Sequence, residues 1–361
     1  MTSSVLTSQF GLTEKLTASP AERALVKKLD AALEQVEEGL KRQMRFADQL
    51  ADVTATYLLG AGGKRVRPVL TLLAAELGGG ANEQVITAAQ VVEITHLASL
   101  YHDDVMDDAP LRRGVPSAQL VWGNSVAVLT GDLLFARASQ LIAALGERAI
   151  RLQADTFERL CLGQLHETLG PQEGEDPVAH YLKVLADKTG SLIAAAAQFG
   201  VAFSGAPAEF EPAVLEFGEK IGVAFQLVDD VIDLSTADAG TGKKAGTDLR
   251  AGVVTMPLLK LRALAAPVAD GAGADSSTDA AAAASARELL AYLEAHVIGA
   301  GEDVDVSEGI QRLRAHNVTA ETLADARKWA QQAIAALAPL PEGPVKKALT
   351  RFADSVVDRT S

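Results

Sequence analysis

The chain has 361 residues, is 48% hydrophobic but only 4% aromatic, and carries a formal charge of −14 from 33 Lys+Arg against 47 Asp+Glu. That length and aliphatic content support a large buried core and exclude general disorder, while the acidity excludes the basic footprint of a nucleic-acid binder. One cysteine, Cys161, allows no internal disulfide, so a reducing, cytoplasmic setting is expected.

The opening MTSSVLTSQFGLTEK lacks the basic start and apolar run of a signal peptide, and residues 1–19 are expected to be flexible. No stretch reaches the roughly 18 uninterrupted apolar residues of a membrane span, so a soluble protein is expected. Apolar positions recur at three and four across most of the chain, and strand-like alternation is nearly absent, which predicts an all-α fold. Pro20-Ala21-Glu22 opens a helix running to about Phe46, and Arg67-Pro68 precedes another that stops at Gly78-Gly79-Gly80. Long helices follow over 82–107, 122–144, 150–169 and 178–204, and a further one after Pro212 carries Gly218 through Leu234. Residues 265–286 are low in complexity and read as a solvated loop inside a single domain covering 1–361.

Two segments carry chemistry. His102-Asp103-Asp104-Val105-Met106-Asp107-Asp108 and Val228-Asp229-Asp230-Val231-Ile232-Asp233 each hold D-D-x-x-D on an otherwise apolar helix. Positions i and i+4 share a helix face, so Asp103 pairs with Asp107 and Asp229 with Asp233, with Asp104 and Asp230 beside them. Like charges so placed repel, and burying them costs more, which calls for a cation. Mg²⁺ suits the pattern, because it takes one or two carboxylates together with waters and substrate phosphates. An EF-hand is excluded, since Val105 and Asp108 stand where a calcium loop needs an oxygen ligand and a glycine.

Cations surround these carboxylates in the sequence. Gly62-Gly63-Lys64-Arg65-Val66-Arg67 is a glycine-led basic loop opening a helix, an arrangement suited to anions. Arg112-Arg113 follows the first cluster, with the forked donors that grip phosphate oxygens. Lys188-Thr189-Gly190 and Thr241-Gly242-Lys243-Lys244 add further donors, and His96 precedes Asp103 by one and a half to two turns.

In that order GGKRVRP, HLASLYHDDVMDDAPLRRG, KTG, FQLVDDVID and GTDLRAGVVTMP resemble the trans-isoprenyl diphosphate synthase family, bacterial polyprenyl diphosphate synthases above all. The likeness spans roughly Leu58 to Leu264, and LPEGPVKKALTRFADSVVDRT resembles the family's end. It implies an all-α bundle of long helices around a deep central cavity, a homodimer, and the head-to-tail condensation of isopentenyl diphosphate onto an allylic diphosphate such as farnesyl diphosphate. By resemblance Asp103, Asp104, Asp107, Asp229, Asp230 and Asp233 bind about three Mg²⁺ ions. Lys64, Arg67, His96 and Arg113 hold isopentenyl diphosphate, and Arg112, Lys188, Thr189, Gln226 and Lys243 contact the allylic diphosphate. Asp103, Asp104, Asp107, Arg112, Lys188 and Asp229 form the catalytic set. The chain departs from many relatives in having Val253 where they carry Lys, a loss that Lys244 could offset.

Ala98 and Ser99 lie one turn before Asp103, where aromatic side chains in the family stop growth early. Their small size implies a product beyond C20, of about C30–C40, with Val128, Leu129 or Phe135 as a deeper floor. Three rivals remain: a C20 geranylgeranyl diphosphate synthase, a class I terpene cyclase, and a non-catalytic subunit of a heteromeric synthase. GGKR, Arg113 and the second intact D-D-x-x-D argue against the last two. A long apolar product implies at most transient contact with a membrane surface.

Overall fold

The structure, a computed structural model, describes residues 19–235, 245–266, 277–301 and 304–360. These form two compact units. One takes the chain as far as Leu162, then Asp187–Gly222 and Gln332–Ser355, and the other takes Gly163–Ala186, Val223–Gln331 and Val356–Ser361.

In the first unit, α1 (Pro20–Gln43) begins where Ser19 and Glu22 exchange hydrogen bonds, Glu22 N donating to Ser19 Oγ at 3.2 Å and Ser19 N to Glu22 Oε2 at 2.8 Å. That reciprocal cap satisfies two orphan N–H groups, and Pro20 needs no partner in the first turn. Next come α2 (Gln49–Gly60), which periodicity did not single out, α3 (Val66–Ala75) and α4 (Glu83–Met106). Asn82 caps α4 by accepting from Val85 N at 2.9 Å. α4 is buried on nearly every side, from Val85 through Asp104. A helix without a polar face belongs at the centre, and α1, α3, α6 (Asn124–Ala143) and α9 (Ser191–Phe203) all pack on it.

Between α4 and α6 lie a two-residue hairpin, β1 (Leu111–Arg112) with β2 (Val115–Pro116), and the short α5 (Ala118–Trp122). The register pairs Leu111 with Pro116 and Arg112 with Val115. Its turn residues, Arg113 at φ 53° and Gly114 at φ 78°, have the left-handed backbone that a two-residue hairpin turn requires.

The helix expected over 178–204 is interrupted. α7 (Glu147–Leu169) and α8 (Pro177–Leu185) precede a π-helical turn, Ala186–Gly190, before α9 begins. Within the first unit Arg159 holds this turn, donating from Nε to Asp187 at 2.9 Å and from Nη1 to Glu219. α10 (Glu211–Asp233) approaches so closely that a Cβ on Gly222 would lie 2.5 Å from the Gly190 Cα. Periodicity cannot register an inserted π residue, because the flanking apolar pattern continues on either side of it.

In the second unit α11 (Thr247–Arg250) and α12 (Met256–Ala265) precede α13 (Ser277–His296) and α14 (Ser307–Ala315). Leu258, Leu261, Leu289, Leu293 and Val297 form its apolar core. Residues 277–286, read as loop from their composition, are helical. Alanine is the strongest helix former, and its run here continues into the buried Ala286 and Leu289. Ala265 likewise ends a helix, while 267–276 and the N-terminal 1–18 lie outside the described residues. α15 (Asn317–Ala336) and α16 (Pro344–Val357) complete the helices.

Candidate active site

Asp103, Asp104 and Asp107 occupy the last turn of α4, with Asp107 as its C-cap. A helix C-terminus carries partial negative charge, so three carboxylates there meet an unfavourable dipole as well as one another. Asp104 is fully buried and accepts from Arg112 Nε at 2.6 Å. Its second oxygen, Oδ2, is buried without a hydrogen-bond partner. Burial pushes the Asp104 carboxyl up from the usual carboxylate range, with Arg112 opposing. Asp103 is half-buried and Asp107 exposed.

The basic loop lies in the same unit. Arg65, Asp108 and Arg113 are the three non-glycine residues with positive φ among the described residues, and such backbone gathers at functional sites. Arg113 Nη1 donates to the carbonyls of Leu58, at 2.9 Å, and Gly62. Arg67 is half-buried, and its Nε has no hydrogen-bond partner. Burial lowers its pKa to about 10, with Glu93 opposing and Arg113 reinforcing, so it stays charged at neutral pH. Burial, followed by Arg67, Arg113, Arg112 and Arg65, holds His96 well below the usual imidazole range, which leaves it neutral. Lys64 is exposed on the loop. Lys188 and Thr189 are presented by the π turn, a device frequent at functional sites.

The second cluster ends α10 as the first ends α4, again at the negative end of a helix. Asp230 is buried; Tyr181 OH donates to its two oxygens at 3.1 and 2.9 Å, and Met256 N donates to Oδ2 at 3.1 Å. Burial pushes Asp230 up to about 7, with those two donors opposing. Asp233 accepts from Thr247 N and Asp248 N, each at 3.2 Å, through its two oxygens. Asp229 is half-buried beside Arg359, whose Nη1 lies 3.2 Å from Oδ1. Gln226 is half-buried one turn earlier. Lys243 and Lys244 lie outside the described residues, and Val253 is exposed.

Ala98 is fully buried, its carbonyl against Gly131 of α6, while Ser99 is half-buried and donates from Oγ to His96 O at 2.9 Å. Of the three residues considered as a deeper floor, Val128 and Leu129 are exposed. Phe135 instead packs between His102 and Phe157, with ring centroids 5.6 and 4.3 Å away. α6 is the one helix among the described residues long and apolar enough, by length and composition, to cross a membrane. Its Ala127, Gly131, Leu134 and Ala138 are buried, whereas Val128, Leu129 and Leu133 are exposed.

Among the described residues no group of three or more His, Cys, Asp or Glu is placed to hold a metal by itself. Arg65, Glu93, Arg159, Tyr181 and Arg359 also shape these sites, and sequence reasoning passed over them as site residues. Arg65 and Arg359 stood inside quoted segments, but Glu93, Arg159 and Tyr181 carry no local pattern and are brought in by packing.

Residues 48–289 match the model of the polyprenyl synthetase family. Nonaprenyl diphosphate synthase from Mycobacterium tuberculosis is 41% identical over 331 residues, 91% of this chain and 92% of its own. A crystal structure of polyprenyl synthase from Caulobacter crescentus, complexed with calcium and isoprenyl diphosphate, superposes with a TM-score of 0.79 at 32% identity, covering 93% of this chain and 97% of that one. Geranylgeranyl pyrophosphate synthase from Corynebacterium glutamicum, likewise complexed with calcium and isoprenyl diphosphate, gives 0.76 at 37% identity, covering 95% and 98%. The architecture is therefore the all-α isoprenoid synthase fold. The chain belongs to the polyprenyl synthetase family and is a prenyltransferase, a polyprenyl diphosphate synthase.

Proposed function

We propose that the enzyme elongates an allylic diphosphate such as farnesyl diphosphate with isopentenyl diphosphate to an all-trans product of about C30–C40. The observation that carries this length is the pair Ala98 and Ser99, small side chains one turn before Asp103. Mass analysis of products from the purified enzyme tests it, and a product that stops at C20 rejects it.

In this reading Asp103 and Asp107, and Asp229 with Asp233, supply the carboxylates for about three Mg²⁺ ions. Asp104 and Asp230, buried where the other four carboxylates are not, support those ligands in this reading. When bound, Mg²⁺ supplies positive charge that offsets the charge of a departing diphosphate. Arg112, Lys188 and Thr189 hold that diphosphate with Gln226 and Lys243, and the positive charge of Arg112 and Lys188 favours the leaving state over the ground state. Lys64, Arg67, Arg113 and neutral His96 hold isopentenyl diphosphate.

The C1–oxygen bond of the allylic substrate breaks, and its electron pair leaves with the diphosphate. The double bond of isopentenyl diphosphate then attacks C1, forming the new C–C bond. A proton is lost from the resulting cation to the released diphosphate, as the family resemblance implies. Exclusion of water protects the cation from quenching.

The exposed Val128, Leu129 and Leu133 of α6 support docking on a second copy of the chain in the cytoplasm, as a homodimer. Diphosphate release by the purified chain alone distinguishes this enzyme from a non-catalytic subunit.

A further inference from the structure

Arg65 sits between Lys64 and Arg67 in the chain, yet it is built differently from both. Its backbone is left-handed, at φ 49°, and its side chain is only 7% exposed. Its guanidinium is directed wholly at protein. Nε donates to Glu37 Oε1 at 2.6 Å, Nη1 to Glu93 Oε1 and Gly62 O, each at 3.1 Å, and Nη2 to Leu59 O at 3.5 Å. Arg113, left-handed at φ 53° and coming from the hairpin, converges on the same places. Its Nη1 also donates to Gly62 O, and its Nη2 lies 4.0 Å from Glu93 Oε1. A Cβ on Gly63 would collide with Arg65 Nη1 and stand 2.9 Å from Arg113 Cζ, so the loop backbone is wrapped against the two guanidinium groups.

Glu93 is 2% exposed, and its charge opposes the effect of burial on both Arg67 and Arg113. It thereby offsets the mutual repulsion of three arginines crowded at one loop. Arg67, by contrast, keeps a buried Nε with no partner, the kind of donor that a ligand satisfies.

We propose that Arg65 and Glu93 are positioning residues: they clamp the Gly62-Gly63 backbone so that Lys64 and Arg67 are preset for the diphosphate of isopentenyl diphosphate, which neither clamp residue touches. This deepens, and rests on, the reading of Lys64 and Arg67 as that substrate's ligands. Preorganisation of this kind lowers the cost of binding without entering the chemical step.

Steady-state kinetics of Arg65→Met, Glu93→Gln and Lys64→Ala, with calorimetric titration of isopentenyl diphosphate in EDTA, test the clamp. Arg65→Met and Glu93→Gln are expected to raise KM for isopentenyl diphosphate about tenfold or more, to keep kcat and the KM for farnesyl diphosphate within about twofold, and to weaken the calorimetric affinity in parallel. Glu93→Asp, which keeps the charge, is expected to recover most of the loss. Lower melting temperature and lower kcat with both KM values unchanged would mean that the two residues only hold the fold, overturning the proposal. If Lys64→Ala raises KM for isopentenyl diphosphate and the clamp variants do not, the clamp is wrong and the site reading stands. If Lys64→Ala leaves that KM unmoved, the site reading itself has failed and the clamp falls with it.

Discussion

Arg112 and Asp104 form a 2.6 Å ion pair in which the carboxylate is fully buried and the guanidinium reaches it from the hairpin. The geometry orients Arg112 and removes Asp104 from the face that Asp103 and Asp107 share. Asp104→Asn is therefore expected to lower kcat by about 10²-fold, the scale for misplacing one charged donor. It should leave the half-saturating Mg²⁺ concentration within about threefold, whereas Asp103→Asn should raise that concentration about tenfold or more. Mg²⁺ titrations of activity decide the matter, and equal shifts for the two variants would place Asp104 among the metal ligands.

His96 sets a pH dependence of stability. Its imidazole is held below the usual value of about 6.5 by burial and by Arg67, Arg113, Arg112 and Arg65. The unfolded chain therefore takes up a proton that the native site refuses. The stability is present above about pH 6.5 and is lost as pH falls toward the depressed native value, by up to about 1.4 kcal/mol per pH unit. Urea unfolding between pH 5 and 7 should show a shallower acid loss for His96→Gln than for the parent. Identical slopes would rule out this origin.

Ser99 and Ala98 are not equivalent as determinants of product length. Ser99 is half-buried and can accept a larger side chain, so Ser99→Phe should shift the product to about C15–C20 with little loss of melting temperature. Ala98 has no exposed surface and its carbonyl lies against Gly131, so Ala98→Phe should cost about 1–3 kcal/mol through overpacking. Chromatography of dephosphorylated products, paired with thermal melts, separates the two. An unchanged product from Ser99→Phe would exclude this position as a limit on growth.

Arg359 lies over the Phe225 ring, 4.7 Å from its centroid, and 3.2 Å from Asp229. In the proposed reading Arg359 competes with Mg²⁺ for the Asp229 carboxylate. The pair is partly exposed and worth about 1 kcal/mol at most, so Arg359→Ala should lower the half-saturating Mg²⁺ concentration by up to about fivefold. A rise would show instead that Arg359 assists metal binding.

The helices were legible because their apolar spacing is regular and their starts conform to it: Pro20 and Asn82 mark starts that the structure keeps within a few residues. The aspartate clusters were legible because carboxylates on apolar helices break an otherwise consistent pattern. The π turn at Ala186–Gly190 was not, since the apolar pattern resumes on either side of it and Arg159, which bonds Asp187, is distant in sequence. The helix over 277–286 was misread because alanine-rich composition resembles a loop when large apolar groups are missing. The different burial of Asp103 and Asp104 was also hidden, because adjacent residues on one helix have the same sequence signature and differ only in what packs around them.

Mass analysis of dephosphorylated products from purified enzyme supplied with farnesyl diphosphate, excess isopentenyl diphosphate and Mg²⁺ reads the central claim most directly. An all-trans alcohol series ending at about C30–C40 is the predicted result. A product that stops at C20, or no condensation by the chain on its own, would contradict it.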